Sequence, residues 1–180
     1  MKNTSTYLNG TLNEDEFGEV YAGYIEYSRD EKLFRRLDVG RHKVNILFAN
    51  LDDEKALFRY AEGKWSVKEI LGHLTDTERI MGYRALCIAR NDKTELPGYD
   101  HDKYVAESNF DMRSVHNLIE DYKIVRESTI SLFHTFTNEM LLRKGTVNGN
   151  PFSARALGYV ISGHELHHLE ILQERYFPNL

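Results

Sequence analysis

Residues 164–168 read His-Glu-Leu-His-His, inside a segment from Ser153 to Tyr176 whose apolar residues recur at helical spacing. At about 100° per residue, Leu157, Val160, Ile161, Ile171 and Leu172 form one stripe, and His164 and His168 fall near its middle. His167 and Glu165 land on its two edges. A buried imidazole needs partners for both ring nitrogens, so two of them one turn apart on a core face either share a polar network or bind a metal ion. The i, i+4 spacing suits a single ion, and a bundle core can draw a third nitrogen from a facing helix. His73, at the flank of another apolar stripe, is the best candidate for it. His101 falls in a loop, and His42, His116 and His134 lie away from the apolar centres of their helices; these four read as solvated or rim residues.

Two other chemistries use the same letters. His164-Glu165-Leu166-His167-His168 satisfies H-E-x-x-H, the zinc peptidase pattern in which the glutamate is general base. Such enzymes need a third ligand well downstream, whereas twelve residues follow His168 and the extended H-x-x-G-x-x-H spacing is absent. A di-iron bundle needs Glu-x-x-His pairs on two helices. Glu165 and His168 make one pair, but neither Glu69 nor Glu78 has a His three residues later.

These residues need helices to hold them, and four long patterns supply them. The first opens at Ser28 with Glu31 three residues on, a capping box, and carries Leu33, Leu37, Val44, Leu47 and Leu51 on one face, weakened by Gly40. The second begins at the capping box Ser66-Val67-Lys68-Glu69 and repeats Val67, Ile70, Leu71, Leu74, Met81 and Ile88 to about Arg90. A third starting at Asp111 repeats Val115, Leu118, Tyr122, Val125, Thr129, Leu132 and Phe136. Ser153 caps the fourth and Pro178 stops it. Between the second and third lies a Pro-Gly turn, Leu96 to Asp100, followed by a polar, aromatic loop with His101, Asp102 and Tyr104. Asn148-Gly149, before the fourth, is the signal for a very short hairpin. The expected fold is therefore all-α: a four-helix bundle over 28–180, with an N-terminal arm over 1–27 laid across it and a hairpin-like turn before the last helix.

At 180 residues the chain suits one core. A net charge of −5, with no Lys or Arg block, makes nucleic acid and anionic membrane poor partners. The opening MKNTSTYLNG has no apolar core of a signal peptide, and no run approaches the roughly 18 apolar residues of a membrane span, so a cytoplasmic protein is expected. The single cysteine, Cys87, lies in an apolar helical stretch and reads as a packing residue. Apolar edges on the arm and helices leave room for a homodimer.

Several short motifs, in order, resemble the DinB-like (damage-inducible) superfamily, which includes bacillithiol transferases. They are Gly63-Lys64-Trp65-Ser66, Gly72-His73-Leu74-Thr75-Asp76-Thr77-Glu78, Leu96-Pro97-Gly98-Tyr99-Asp100, Gly145-Thr146-Val147-Asn148-Gly149 and Gly163-His164-Glu165-Leu166-His167-His168. The resemblance runs from about Leu51 to the C-terminus; the first helix and the arm match only in pattern. It implies a four-helix bundle holding a divalent metal, nickel or zinc, through one His of helix two and two of helix four. Carried over residue by residue, these are His73, His164 and His168, the same pair that the periodicity selects. Glu165 and His167 are not ligands that the family motif requires, and are read as partners of the ligands.

Three neutral imidazoles leave a metal with open positions, as in catalytic zinc sites. A bound water whose pKa falls towards about 7 opens hydrolysis, and a coordinated substrate thiol that loses its proton opens transfer to an electrophile. A thiol-dependent transferase is the leading expectation; a metal-dependent hydrolase and a non-catalytic metal-binding stress-response module are the alternatives. Asp76, Tyr83, Tyr99, Asp100 and Tyr104 are candidate pocket residues, and Arg79 and Arg84 could hold a carboxylate on a small thiol or simply occupy a solvated helix face.

Overall fold

The computed structural model describes residues 11–28 and 32–180. Its elements are α1 (Ala22–Ser28), α2 (Leu33–Phe48), α3 (Val67–Ala89), α4 (His101–Ala106), α5 (Val115–His134), α6 (Asn138–Leu142), a hairpin of β1 (Lys144–Val147) and β2 (Asn150–Ser153), and α7 (Ala154–Ile171), which continues into a wider π turn, Leu172–Tyr176. Ser28, the expected opening of the first long helix, is instead the last residue of α1, and Glu31, its partner in the expected capping box, lies outside the described residues.

Serine caps start three of the long helices. Ser66 Oγ accepts from Glu69 N at 3.0 Å while Glu69 Oε2 accepts from Ser66 N at 2.7 Å, the reciprocal box expected for α3. Ser153 Oγ likewise accepts from Ala156 N at the start of α7. The third long helix begins at Val115, not at Asp111. Asp111 sits in a separate 3-10 turn, its carboxylate accepting from Ser66 Oγ and from Arg59 Nη2, and Arg113 is extended before Ser114 caps α5. The Asn-Gly signal is realised as the hairpin turn: Asn148 and Gly149 both have positive φ, 48° and 73°, as a two-residue primed turn requires.

α2, α3, α5 and α7 form the bundle, with α3 and α2 each packed against both α5 and α7. Two apolar clusters fill it end to end. One joins Leu33 and Leu37 of α2, Met81 to Ala89 of α3, Phe133 of α5 and Ala154 to Ile161 of α7. The other joins Val44 and Phe48, Val67 to Leu71, Val115 to Tyr122, and Leu169. The pairing of helix halves makes α2 parallel to α7 and α3 parallel to α5, the two pairs running in opposite senses. The parallel step from α3 to α5 needs the long crossing that contains α4, and it brings that segment over one side of the bundle.

Between the two clusters lies a polar layer contributed by the middle of each long helix. Arg126 of α5 donates to Glu78 of α3 through two 2.8 Å bonds, to Glu165 of α7 at 2.6 Å, and to the Leu37 carbonyl of α2 at 2.7 Å. Tyr122 OH also donates to Glu165. All four helices are thus tied at one level by a fully buried cation, an arrangement that is costly to form and more costly to break. Gly40 makes room for it, since a Cβ there would lie 1.6 Å from Glu165 Oε1.

The short helix α1 packs along α7. Gly163 permits the approach, because a Cβ at that position would lie 1.8 Å from the Tyr24 carbonyl oxygen. The preceding arm is anchored by Glu16, buried and bonded to Arg155 Nε at 2.6 Å and to Ser153 Oγ at 2.8 Å. The crossing segment is anchored too: Leu96 N donates to the Thr146 carbonyl at 3.0 Å and Asn148 N to the Leu96 carbonyl at 2.9 Å. Among the described residues no helix is long and apolar enough to cross a membrane.

Candidate metal centre

The polar layer has a second half on the side facing α1 and α4. His73 projects from α3, and His164 and His168 from successive turns of α7, so that their donor nitrogens lie within 4.8 Å of one another. His164 Nε2 is 3.0 Å from His73 Nε2 and 3.1 Å from His168 Nε2. Two nitrogens bonded to one ion at about 2.0–2.1 Å sit roughly 3 Å apart, so the spacing fits a shared divalent cation. Three converging nitrogens are a poorer fit to hydrogen bonding, because each neutral ring has one N–H to give. Burial, with His101 adding to it, lowers the His73 pKa to about 4, and burial with the neighbouring imidazoles lowers His168 to about 3. His164 is pushed well below its ordinary value, again by burial first and then by His168 and His73. All three are therefore neutral near pH 7, the protonation state that a metal requires.

Neighbouring groups orient the rings. Thr77, one turn beyond His73 on α3, places Oγ1 3.5 Å from His73 Nδ1 and 2.7 Å from Tyr99 OH, so the crossing segment braces this imidazole through a hydroxyl. Trp65, just before the α3 cap, lies 4.6 Å from the His73 ring and stacks at 6.4 Å on His168. Tyr24 of α1 meets His164 edge-on at 5.4 Å and His167 at 5.6 Å. His168 Nδ1 is buried without a hydrogen-bond partner among the described residues.

The cluster opens into a cavity of about 430 Å³, a volume suited to a small molecule. Of the residues expected there, Tyr99 and His167 line the cavity, and Tyr104 rests against Tyr99 at 5.1 Å. Three others lie outside the wall, as Tyr104 itself does. Asp76 pairs with Arg79 on the surface, Tyr83 is 61 % exposed beside Cys87, and Asp100 spends its carboxylate capping α4 at Lys103 N. Glu165 faces Arg126 and Tyr122, and burial pushes its carboxyl up although Arg126 opposes this. It is engaged in the bundle network and is not a free base at the metal side, which removes the peptidase reading of H-E-x-x-H.

Four residues at the cavity are not among those expected there. His101 reads as a loop histidine, yet its ring lies 5.9 Å from His73 and 5.7 Å from Trp65 at the cavity mouth. Trp65 and Tyr24 come from outside the long helices. Thr77 had a usable signal, its i+4 relation to His73. The two arginines separate: Arg79 is on the surface, pairing with Asp76 and Asp121, while Arg84 is buried in the cavity wall and burial lowers its pKa.

A four-helix bundle with three imidazoles converging at mid-height has the donor set of a metal-binding bundle. The family model described as DinB superfamily matches residues 36–172, and the chain belongs to that superfamily. It is 27 % identical over 138 residues to a candidate metal-dependent hydrolase of Oceanobacillus iheyensis, covering 75 % of this chain and 78 % of the relative. Among solved structures it resembles YfiT of Bacillus subtilis, described as a probable metal-dependent hydrolase with an unusual four-helix bundle topology, at TM-score 0.68 and 16 % identity over 98 % of this chain and 97 % of that one. It also resembles a mycothiol-dependent maleylpyruvate isomerase at TM-score 0.64 and 10 % identity, over 77 % of this chain and 58 % of the isomerase. At these identities the structural likenesses establish the fold.

Proposed function

We propose that the protein is a divalent-metal-dependent enzyme that transfers a low-molecular-weight thiol to an electrophile, with His73, His164 and His168 as metal ligands. The observation that carries this is the convergence of three neutral imidazole nitrogens on a cavity of small-molecule size. A zinc or nickel ion held there supplies Lewis acidity, which lowers the pKa of a coordinated thiol or water. Thr77 and Tyr99 hold the His73 ring, and Trp65, Tyr24 and Tyr99 shield the reacting end from bulk water.

The placement of the nearby carboxylates favours thiol over water as nucleophile. Asp102 lines it at the mouth, while Glu165 and Glu78 are both held by Arg126. A hydrolase gains from a general base beside its water, whereas a thiol near neutral pH needs little beyond a lowered pKa. The thiol dependence of the isomerase that shares this fold supports the same reading. The names of the Oceanobacillus and Bacillus relatives favour a second reading, metal-dependent hydrolysis.

The test is a panel of small thiols with 1-chloro-2,4-dinitrobenzene, run on metal-loaded and chelator-treated protein. In the expected reaction the sulfur–carbon bond forms, chloride leaves and the thiol proton goes to solvent. Metal-dependent loss of thiol, at least tenfold lower in His73→Ala, supports the transferase. Thiol consumption that ignores metal removal contradicts it, and metal-dependent cleavage of a p-nitrophenyl ester without thiol selects the hydrolase.

A further inference from the structure

Four cations are buried in the described structure: Lys68, Arg84, Arg126 and Arg155. Three have carboxylate partners, Asp53 for Lys68, Glu78 and Glu165 for Arg126, and Glu16 for Arg155. Arg84 is 4 % exposed, and among the described residues no carboxylate lies within ion-pair distance of it. Its hydrogen bonds go to neutral groups, the Pro97 carbonyl at 2.6 Å and Met81 Sδ at 3.5 Å, and its guanidinium lies 5.7 Å from the Tyr99 ring centre. A buried cation without an anion is expensive unless something else supplies the negative charge.

The position of Arg84 says where that charge would come from. His73, Thr77, Met81 and Arg84 all line the cavity, at i, i+4, i+8 and i+11 along α3, and so form one stripe. At about 1.5 Å per residue, Arg84 Cα lies about 16 Å along the helix from His73 Cα. The same end of the cavity carries Gly98 and Asn148, and the lack of a side chain at Gly98 admits the Asn148 amide, whose Cγ would lie 2.7 Å from a Cβ there. A guanidinium and an amide thus line the cavity together, with Tyr99 and Thr77 standing between Arg84 and His73, an arrangement that suits an oxyanion held apart from the imidazoles.

We infer that Arg84, assisted by Asn148, binds the anionic end of the substrate, so that the enzyme takes elongated small molecules with a carboxylate or similar oxyanion several bonds from the reacting atom. This rests on the cavity's being the substrate site, and gives it a polarity: reacting atom at the His cluster, negative charge at Arg84. Specificity follows from the length of the α3 stripe, because a ligand too short to reach Arg84 leaves that cation unpaired.

The test uses metal-loaded protein and three probes, 8-mercaptooctanoate, 8-mercaptooctanol and 1-octanesulfonate, with binding measured by titration calorimetry. Wild type is expected to bind the mercapto acid at least tenfold more tightly than the mercapto alcohol. Arg84→Met should abolish that preference and weaken octanesulfonate equally, while metal content and affinity for the alcohol stay unchanged. Arg84→Lys, which keeps the charge, should restore part of the preference and guards against a loss due to misfolding. Binding of the sulfonate through Arg84 without any binding of thiols would keep the anion site and refute the thiol reading instead. Equal affinity for acid and alcohol in wild type, no anion binding at all, or a preference that survives in Arg84→Met overturns the inference.

Discussion

Glu165 and His164 are neighbours in sequence with opposite duties, one bound into the Arg126 network and the other turned to the imidazole cluster. Single residues in this layer are therefore sensitive to proton uptake in a predictable direction. The pKa values of His73, His164 and His168 are all lowered by burial, so the folded chain keeps them neutral where the unfolded chain, with histidines near 6.5, takes up protons. Their contribution to stability is complete above pH 6.5 and is lost as pH falls, towards about 4 for His73 and about 3 for His168. Metal-free protein should accordingly melt at a lower temperature at pH 5.5 than at pH 7.5. A melting temperature that is unchanged or higher at pH 5.5 would show that the imidazoles are not buried neutral.

At the scale of elements, Gly40 gives the sharpest contrast between local preference and packing. Ala is favoured over Gly in a helix interior by about 1 kcal/mol, so propensity alone predicts that Gly40→Ala stabilises α2. The structure predicts the reverse, because the new Cβ would meet Glu165 Oε1 and the Arg126 guanidinium. Disrupting that buried pair should cost roughly 3–5 kcal/mol, read as a lower midpoint in urea unfolding. A neutral or stabilising Gly40→Ala would refute the account of the layer. The sequence does announce most of the scaffold: the capping boxes and serine caps of α3 and α7, the Asn148-Gly149 turn and the apolar stripes are local signals with local outcomes. The start of α5 at Val115, where the sequence points to Asp111, has a tertiary reason. Asp111 looks like a helix-opening acid but is drawn to Ser66 and Arg59 across the fold.

At the scale of the whole molecule, the site is assembled from segments that only the fold brings together. His164 and His168 are visible in one helix's periodicity, and His73 in another's, because a histidine on an apolar stripe is conspicuous. Tyr24, Trp65 and His101 are not, and Arg84 is not told apart from Arg79 as the carboxylate-holding arginine, since each depends on where the arm, the α3 entry and the crossing segment pack. The arm bonds through Glu16 to Arg155, and the crossing segment bonds through Leu96 to the hairpin, so the cavity walls are part of the bundle's own architecture. The chemistry proposed for this cavity depends first on the imidazoles' holding an ion. Divalent metal content, measured by mass spectrometry on identically purified wild type, His73→Ala and His168→Ala with helicity checked by circular dichroism, tests that most directly. The account predicts about one ion per chain in wild type and a marked loss in both folded variants; unchanged stoichiometry in both would contradict it.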